Sequence, residues 1–259
     1  MNRSHSRTYL TMNLPQFSPK SRRALLFGVI FLFINGFFVA KVREATRPEY
    51  AGISAAFVLV LWAPSAWVLK QWLGWKRAAV LLAVLGLFAV FIETFAIKTG
   101  LPYGQFEYRD KIGSKVFGLV PWTVPFSWPP LVLGAIALAS RIAPKRLLLA
   151  TTLILLSFDF VLDPGAVQQE FWVYKSGGFY YGVPLSNFFG WLISGFIGAW
   201  LFQTLSGDKE EIPMPLVSSV MLILGFWTSV CLFVSMWIPA AVGIGLLGWI
   251  WKETEPQPD

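Results

Sequence analysis

Three carboxylic acids sit in stretches that are otherwise apolar: Glu93, Asp159 and Asp163. A carboxylate in hydrocarbon carries a penalty of a few kcal/mol at least, so an acid kept there usually has a task. Asp159 and Asp163 are four residues apart and share a helix face, with Thr152 seven residues earlier on the same stripe. Two carboxyls one turn apart suit acid chemistry, because removal from water and a second nearby carboxyl both favour the protonated form. The alternative is structural: the acids bond backbone groups of broken helices or pair with Arg109 or Lys175. Asp163 precedes Pro164, which predicts a helix end at that point, near a membrane surface. Other chemistries are closed by count. The only His is His5, in the basic tail, and the only Cys is Cys231, inside an apolar run. Neither a zinc site of Cys and His ligands nor an intramembrane His on haem is available.

Around the acids lie segments that cannot be plain helix. Gly100-Leu-Pro-Tyr-Gly-Gln-Phe-Glu-Tyr108 reads as loop or re-entrant structure. In the stretch 120–130, Pro121, Pro125, Pro129 and Pro130 cannot all occupy a regular helix interior. A broken, aromatic-lined opening to the fourth span is therefore expected, with Trp122, Phe126 and Trp128 in it. An interfacial aromatic belt accounts for one or two of these rings but not for the prolines. The connection 164–183 carries Trp172 and Tyr180 and leads to Ser186 and Asn187, both good N-caps. Gly190, Ser194 and Gly198 follow at four-residue spacing, a stripe that lets a neighbouring helix approach closely.

The elements that must position these residues are membrane helices. Hydrophobic residues make up 56% of the 259 and charged residues 14%, against about a quarter in a soluble domain. Long apolar runs predict spans near 24–40, 51–69, 78–97, 119–140, 146–163, 184–205, 216–236 and 237–251. The last two form either a pair or one bent segment, giving seven or eight spans, with the first and last short. The expected fold is an all-α polytopic bundle, because only internally bonded backbone survives in lipid and no run alternates as a β-barrel strand would. The expected organisation is a basic tail at 1–23, one membrane domain at 24–251 and a polar tail at 252–259. The formal charge of +7 does not indicate nucleic acid. Residues 1–23 hold Arg3, Arg7, Lys20, Arg22 and Arg23 and no acid, a cytoplasmic topology signal ahead of an uncleaved first span. With the N-terminus inside, most Lys and Arg fall to the inner side, and the loops near the acids fall to the outer one. Asp208–Glu211 reads as a solvated loop.

Two blocks together resemble a known family. One is 100–108 running on to Pro121–Trp128. The other is Asp159-x3-Asp163-Pro164 running on to Tyr180-Tyr-Gly-Val-Pro-Leu-Ser-Asn-Phe-Phe-Gly-Trp191. Both are similar to the membrane carotenoid-biosynthesis proteins of the CruF type, which include γ-carotene 1′,2′-hydratases and bisanhydrobacterioruberin hydratases. The resemblance covers the central third of the chain. Compared with the family's usual pattern, Tyr103 stands where Phe is commoner, and Glu170 stands where a small residue follows Gln169. The resemblance implies that water adds across the terminal double bond of an acyclic carotenoid such as lycopene or γ-carotene, with no redox cofactor. A bacterial plasma membrane and a thylakoid both fit such a chain.

That reaction suits these residues. Protonation of a trisubstituted alkene leaves a tertiary cation that water captures. Asp159 is the expected proton donor, with Asp163 or Glu93 as its partner or as the base for water. Trp122, Phe126, Trp128, Trp172 and Tyr180 are candidates for a cation-stabilising wall, each face contributing about 0.5–2 kcal/mol. Tyr103, Tyr108 or Asn187 would orient the water, and Trp191 falls in the same substrate-binding set. A prenyltransferase would need a second acidic motif to hold Mg²⁺ against a lipid diphosphate. A transporter would share the broken helices and buried acids but lacks an inverted repeat here. A purely structural subunit would leave the clustered acids unexplained.

Overall fold

The computed structural model describes residues 16–42, 46–207 and 211–255. Arg3, Arg7, His5, most of the 208–211 connection and the last four residues lie outside them. Among the described residues the chain forms eight α-helices: α1 Pro19–Lys41, α2 Ala51–Leu73, α3 Trp75–Thr99, α4 Val124–Ile142, α5 Leu147–Gln168, α6 Leu185–Ser206, α7 Ser218–Phe233 and α8 Trp237–Glu253. Each predicted span corresponds to one of them, and the fold is an all-α membrane bundle. Six helices are long and apolar enough to cross a membrane: α1, α2, α3, α5, α6 and α7.

The first span is longer than predicted, because Ser18 caps it early. The Ser18 side chain accepts from the Ser21 N–H at 3.1 Å, and Ser21 Oγ accepts from the Ser18 N–H at 2.8 Å. The last two segments are two helices, not one bent one. Ser235 adopts a left-handed conformation between them, and the Met236 N–H returns to Cys231 O at 2.8 Å.

α4 is the central helix. Every residue from Trp128 to Ala139 is buried, and α2, α3, α5 and α7 all pack on it. A helix apolar on all sides belongs in the middle of a bundle. The opening of the fourth span is broken as expected, with a strand and a turn before the helix, whereas the last two prolines are not part of the break. The helix starts only at Val124, Pro125 lies in its first turn, and Pro129 and Pro130 are accommodated inside continuous helix. Pro121 lies outside it, in a short strand. Backbone groups freed by proline are tolerated at membrane depth when protein surrounds them.

Consecutive helices alternate in direction, so two end faces can be distinguished. At the face holding the start of α1, Arg22 Nε donates to Thr254 Oγ1 at 3.2 Å, and Arg141 pairs with Glu253 at 3.1 Å. The opposite face carries the connections 100–123 and 169–184. They contain two small antiparallel sheets that were not expected from sequence. β1 Phe106–Tyr108 pairs with β4 Trp172–Tyr174, with Phe106 opposite Tyr174 and Tyr108 opposite Trp172. β2 Lys115–Val116 pairs with β3 Val120–Pro121. Together they cap this end of the bundle.

Candidate active site

The three acids approach one another at the capped end. Glu93 lies six residues before the end of α3 and Asp163 five before the end of α5, which is within about 9 Å of helix rise. Asn187 lies in the first turn of α6. Of the two uses the sequence left open for Asn187, a helix cap or a hydrogen bond to an acid, the structure has the second; Pro184 occupies the cap position, and Ser186 Oγ donates to Tyr103 O at 3.2 Å. The Asn187 side chain is buried and turned to α5. Its Nδ2 donates to Asp159 Oδ2 at 2.8 Å and also to Asp163 Oδ2. The Tyr174 hydroxyl donates to the same Asp163 oxygen at 2.8 Å. On the neighbouring helix, Tyr108 donates to Glu93 Oε2 at 2.7 Å. Glu93 and Asp163 are close enough to interact electrostatically.

Arg109 pairs with Glu107 at 2.7 Å and not with a buried acid. Among the described residues, no three His, Cys, Asp or Glu side chains gather as a metal-binding group. The carboxyls are held by amide and phenol donors. Burial first, and then the neighbouring carboxyls, push the Tyr108 and Tyr174 phenols well above their ordinary pKa, so both remain protonated donors.

α5 does not stop at Asp163. It continues through Pro164 to Gln168. Proline at 164 removes the N–H that would bond Phe160 O, and the Tyr180 hydroxyl donates to that carbonyl at 3.1 Å instead. Asp163 therefore stays on a regular helix with its side chain aimed inward. The chain turns after Gln168 through Glu170 in a left-handed conformation, and β4 follows.

The polar cluster borders a cavity of about 420 Å³. Strand alternation explains much of its wall. Phe106 and Tyr108 on β1, and Trp172 and Tyr174 on β4, line it, whereas the intervening Glu107 and Val173 do not. Of the residues singled out from sequence, Glu93, Asp163, Tyr103, Tyr108, Phe126, Trp128, Trp172, Asn187 and Trp191 line this cavity. Three do not. Asp159 is fully buried behind Asn187, with Oδ1 lacking a hydrogen-bond partner. Trp122 is partly exposed and stands edge-on to Phe126 at 6.1 Å. Tyr180 donates its hydroxyl to Phe160 O, and neither ring borders this cavity.

The small-residue stripe on α6 has a more specific use than helix packing. An added Cβ at Gly190 would lie 2.2 Å from the Tyr103 ring, and one at Gly198 would lie 2.5 Å from Trp128. These glycines seat two rings of the cavity wall. Gly198 thereby meets α4, which carries Trp128, and Gly195, beside the stripe, meets Leu155 of α5. Sequence reasoning missed Tyr174, Phe106 and Trp62 as wall residues. The period-two pattern Trp172-Val-Tyr174 was the one available signal for Tyr174.

The family described as carotenoid biosynthesis protein matches residues 51–250 of the chain. Bisanhydrobacterioruberin hydratase of Haloarcula japonica is 37% identical over 188 residues, covering 66% of this chain and 64% of that protein. The chain thus spans just under two thirds of the length of the curated relative it matches. No solved structure matches.

Proposed function

The chain belongs to the carotenoid biosynthesis protein family, and from that premise we propose that it is a carotenoid hydratase. It adds water across the terminal carbon–carbon double bond of an acyclic carotenoid end. The observation that carries the reading is the pair of carboxyls, Asp163 and Glu93, each bonded to a tyrosine hydroxyl and facing one aromatic cavity. The relative's name, a hydratase of a carotenoid, supports the same class of reaction.

The protonated Asp163 carboxyl gives its proton to the less substituted carbon of the terminal alkene. The π pair forms the new C–H bond, and the other carbon becomes a tertiary cation. A water oxygen attacks that cation, and the water's proton passes to Glu93. Proton transfer from Glu93 to Asp163, directly or through solvent, restores the starting state. Positioned acid–base groups of this kind contribute about 10²–10⁴-fold to rate. The rings of Phe126, Trp128 and Trp172 lower the energy of the cation by about 0.5–2 kcal/mol each.

Asp163 is preferred over Asp159 as donor because it borders the cavity and Asp159 does not. Asp159 instead shares Asn187 with Asp163, so that its charge state bears on whether Asp163 keeps a proton. The chemistry is a hydro-lyase reaction that uses only side chains and water. Expression in a lycopene-accumulating bacterium, with pigments analysed by chromatography and mass spectrometry, tests the reading. A more polar product heavier by one water supports it. Unchanged pigment with the protein inserted in the membrane contradicts it, and a chelator-sensitive transfer to a lipid diphosphate would favour a prenyltransferase.

A further inference from the structure

The cavity does not end at the carboxyls. It continues between α1 and α2, where Phe38 and Val39 face Ser54, Phe57 and Val58. α1 packs along α7 and is not packed against α2. Close approach of α1 to α7 is built in: a Cβ at Gly36 would lie 2.5 Å from Phe226 O, and Ser229 Oγ donates to Phe33 O. α2 reaches the same helix from the other side through Phe57, whose ring meets Phe226 edge-on at 5.4 Å. The two helices are thus both anchored on α7 with a cleft left between them.

Two lining residues mark where this cleft opens. Phe38 is 51% exposed and Ile53 is 68% exposed, although both border the cavity. Both lie on helices that face lipid, within about 5 Å of helix rise of the capped end, so the cleft opens sideways into the bilayer near that face. The floor reaches Leu61 on α2 and Ile223 on α7, each ten residues from the capped end, or about 15 Å of helix rise. The space therefore has a polar, carboxyl-bearing end about 9 Å below the cap and an apolar arm running towards the middle of a hydrocarbon core about 30 Å thick.

We propose that the α1–α2 cleft is a lateral portal and binding groove for the linear polyene chain whose end reacts at Asp163 and Glu93. The identity of the occupant rests on the hydratase reading; the path of the groove does not. The arm is mostly apolar, with Asn35, Thr46 and Ser54 the polar residues on its α1–α2 side, and it is continuous with the acid cluster, which matches a molecule that is hydrocarbon along its length and changes only at its tip. Such a molecule dissolves in the bilayer and meets the protein from the side. Only its terminal unit has to leave lipid, and the remaining chain lies in the cleft and passes out between the helices.

The test narrows the cleft from either wall. Val58→Trp on α2 and Val39→Trp on α1 fill it, whereas Val60→Trp on the lipid-facing side of α2 serves as control. Each variant is assayed with lycopene and with geranylacetone, a short isoprenoid with the same dimethyl alkene terminus. Lycopene retained through purification from a lycopene-containing membrane is measured separately. The expected result is a fall of at least about tenfold in the ratio of lycopene to geranylacetone turnover for both cleft variants. Lycopene retention falls in parallel, and the control stays unchanged. Wild-type turnover and retention of lycopene in both cleft variants would overturn the portal, and would leave the cleft to a lipid acyl chain. If the wild type hydrates neither compound, the hydratase reading fails, and retention alone decides the portal: loss in both cleft variants supports it and equal retention refutes it.

Discussion

At the residue scale the proposed chemistry turns on one carboxyl oxygen. Asp163 Oδ2 accepts from both Tyr174 and Asn187, which fixes the rotamer of the acid towards the cavity. As Asp163 gives up its proton these become bonds to a charged carboxylate, worth about 1.5–3 kcal/mol each. Tyr174→Phe removes one of them without changing the shape of the wall, so turnover is expected to fall by about tenfold or more. A positioning role requires that the fall lie in kcat, with KM nearly unchanged and the pH profile displaced; an unchanged profile would reduce Tyr174 to packing. The acids themselves were legible in the sequence, because an ionisable group in an apolar run is conspicuous. Tyr174 was not, since a tyrosine in a polar connection is ordinary until the fold brings it beside Asp163. Which of Asp159 and Asp163 borders the cavity was equally hidden: helix spacing puts them on one face, and only the position of α6 and Asn187 decides between them.

At the element scale the decisive feature is how α5 crosses Pro164. The sequence predicts an end there, and the helix continues because Tyr180, arriving from the following connection, bonds the carbonyl that proline leaves free. Tyr180→Phe is expected to destabilise the protein by about 1 kcal/mol, the net worth of one partly buried hydrogen bond. Pro164→Ala restores an N–H to that carbonyl, so the tyrosine substitution should be much less harmful in that background. Equal penalties in the two backgrounds, measured by thermal unfolding in detergent, would refute the coupling. The eight helices were legible because spans of this length have a strong hydropathy signal. β1 and β4 were not, because three-residue strands are too short to establish a period. They matter out of proportion to their length, since their alternation aims Phe106, Tyr108, Trp172 and Tyr174 at one space.

At the scale of the whole molecule the two end faces divide the labour. One gathers the acids, the aromatic wall and the strand cap. The other is joined by Arg141 to Glu253 and Arg22 to Thr254. Glu253→Gln is expected to change stability by no more than about 1 kcal/mol, as partly exposed ion pairs do, and to leave turnover at the wild-type level. A large loss of activity would mean that the two faces are coupled. Sequence alone gave the order of the spans but not their neighbours: nothing in it said that α4 is central or that α1 leans on α7 and leaves a cleft beside α2. The central claim, that Asp163 protonates an alkene which water then captures, is tested most directly by isotopes. Wild-type and Asp163→Asn membranes are supplied with lycopene in water enriched in deuterium and heavy oxygen. The wild-type product should carry oxygen from water on the tertiary carbon and deuterium on the adjacent carbon. The variant, shown to be inserted and folded, should form essentially none. Product lacking oxygen from water, or wild-type turnover in Asp163→Asn, would contradict the account.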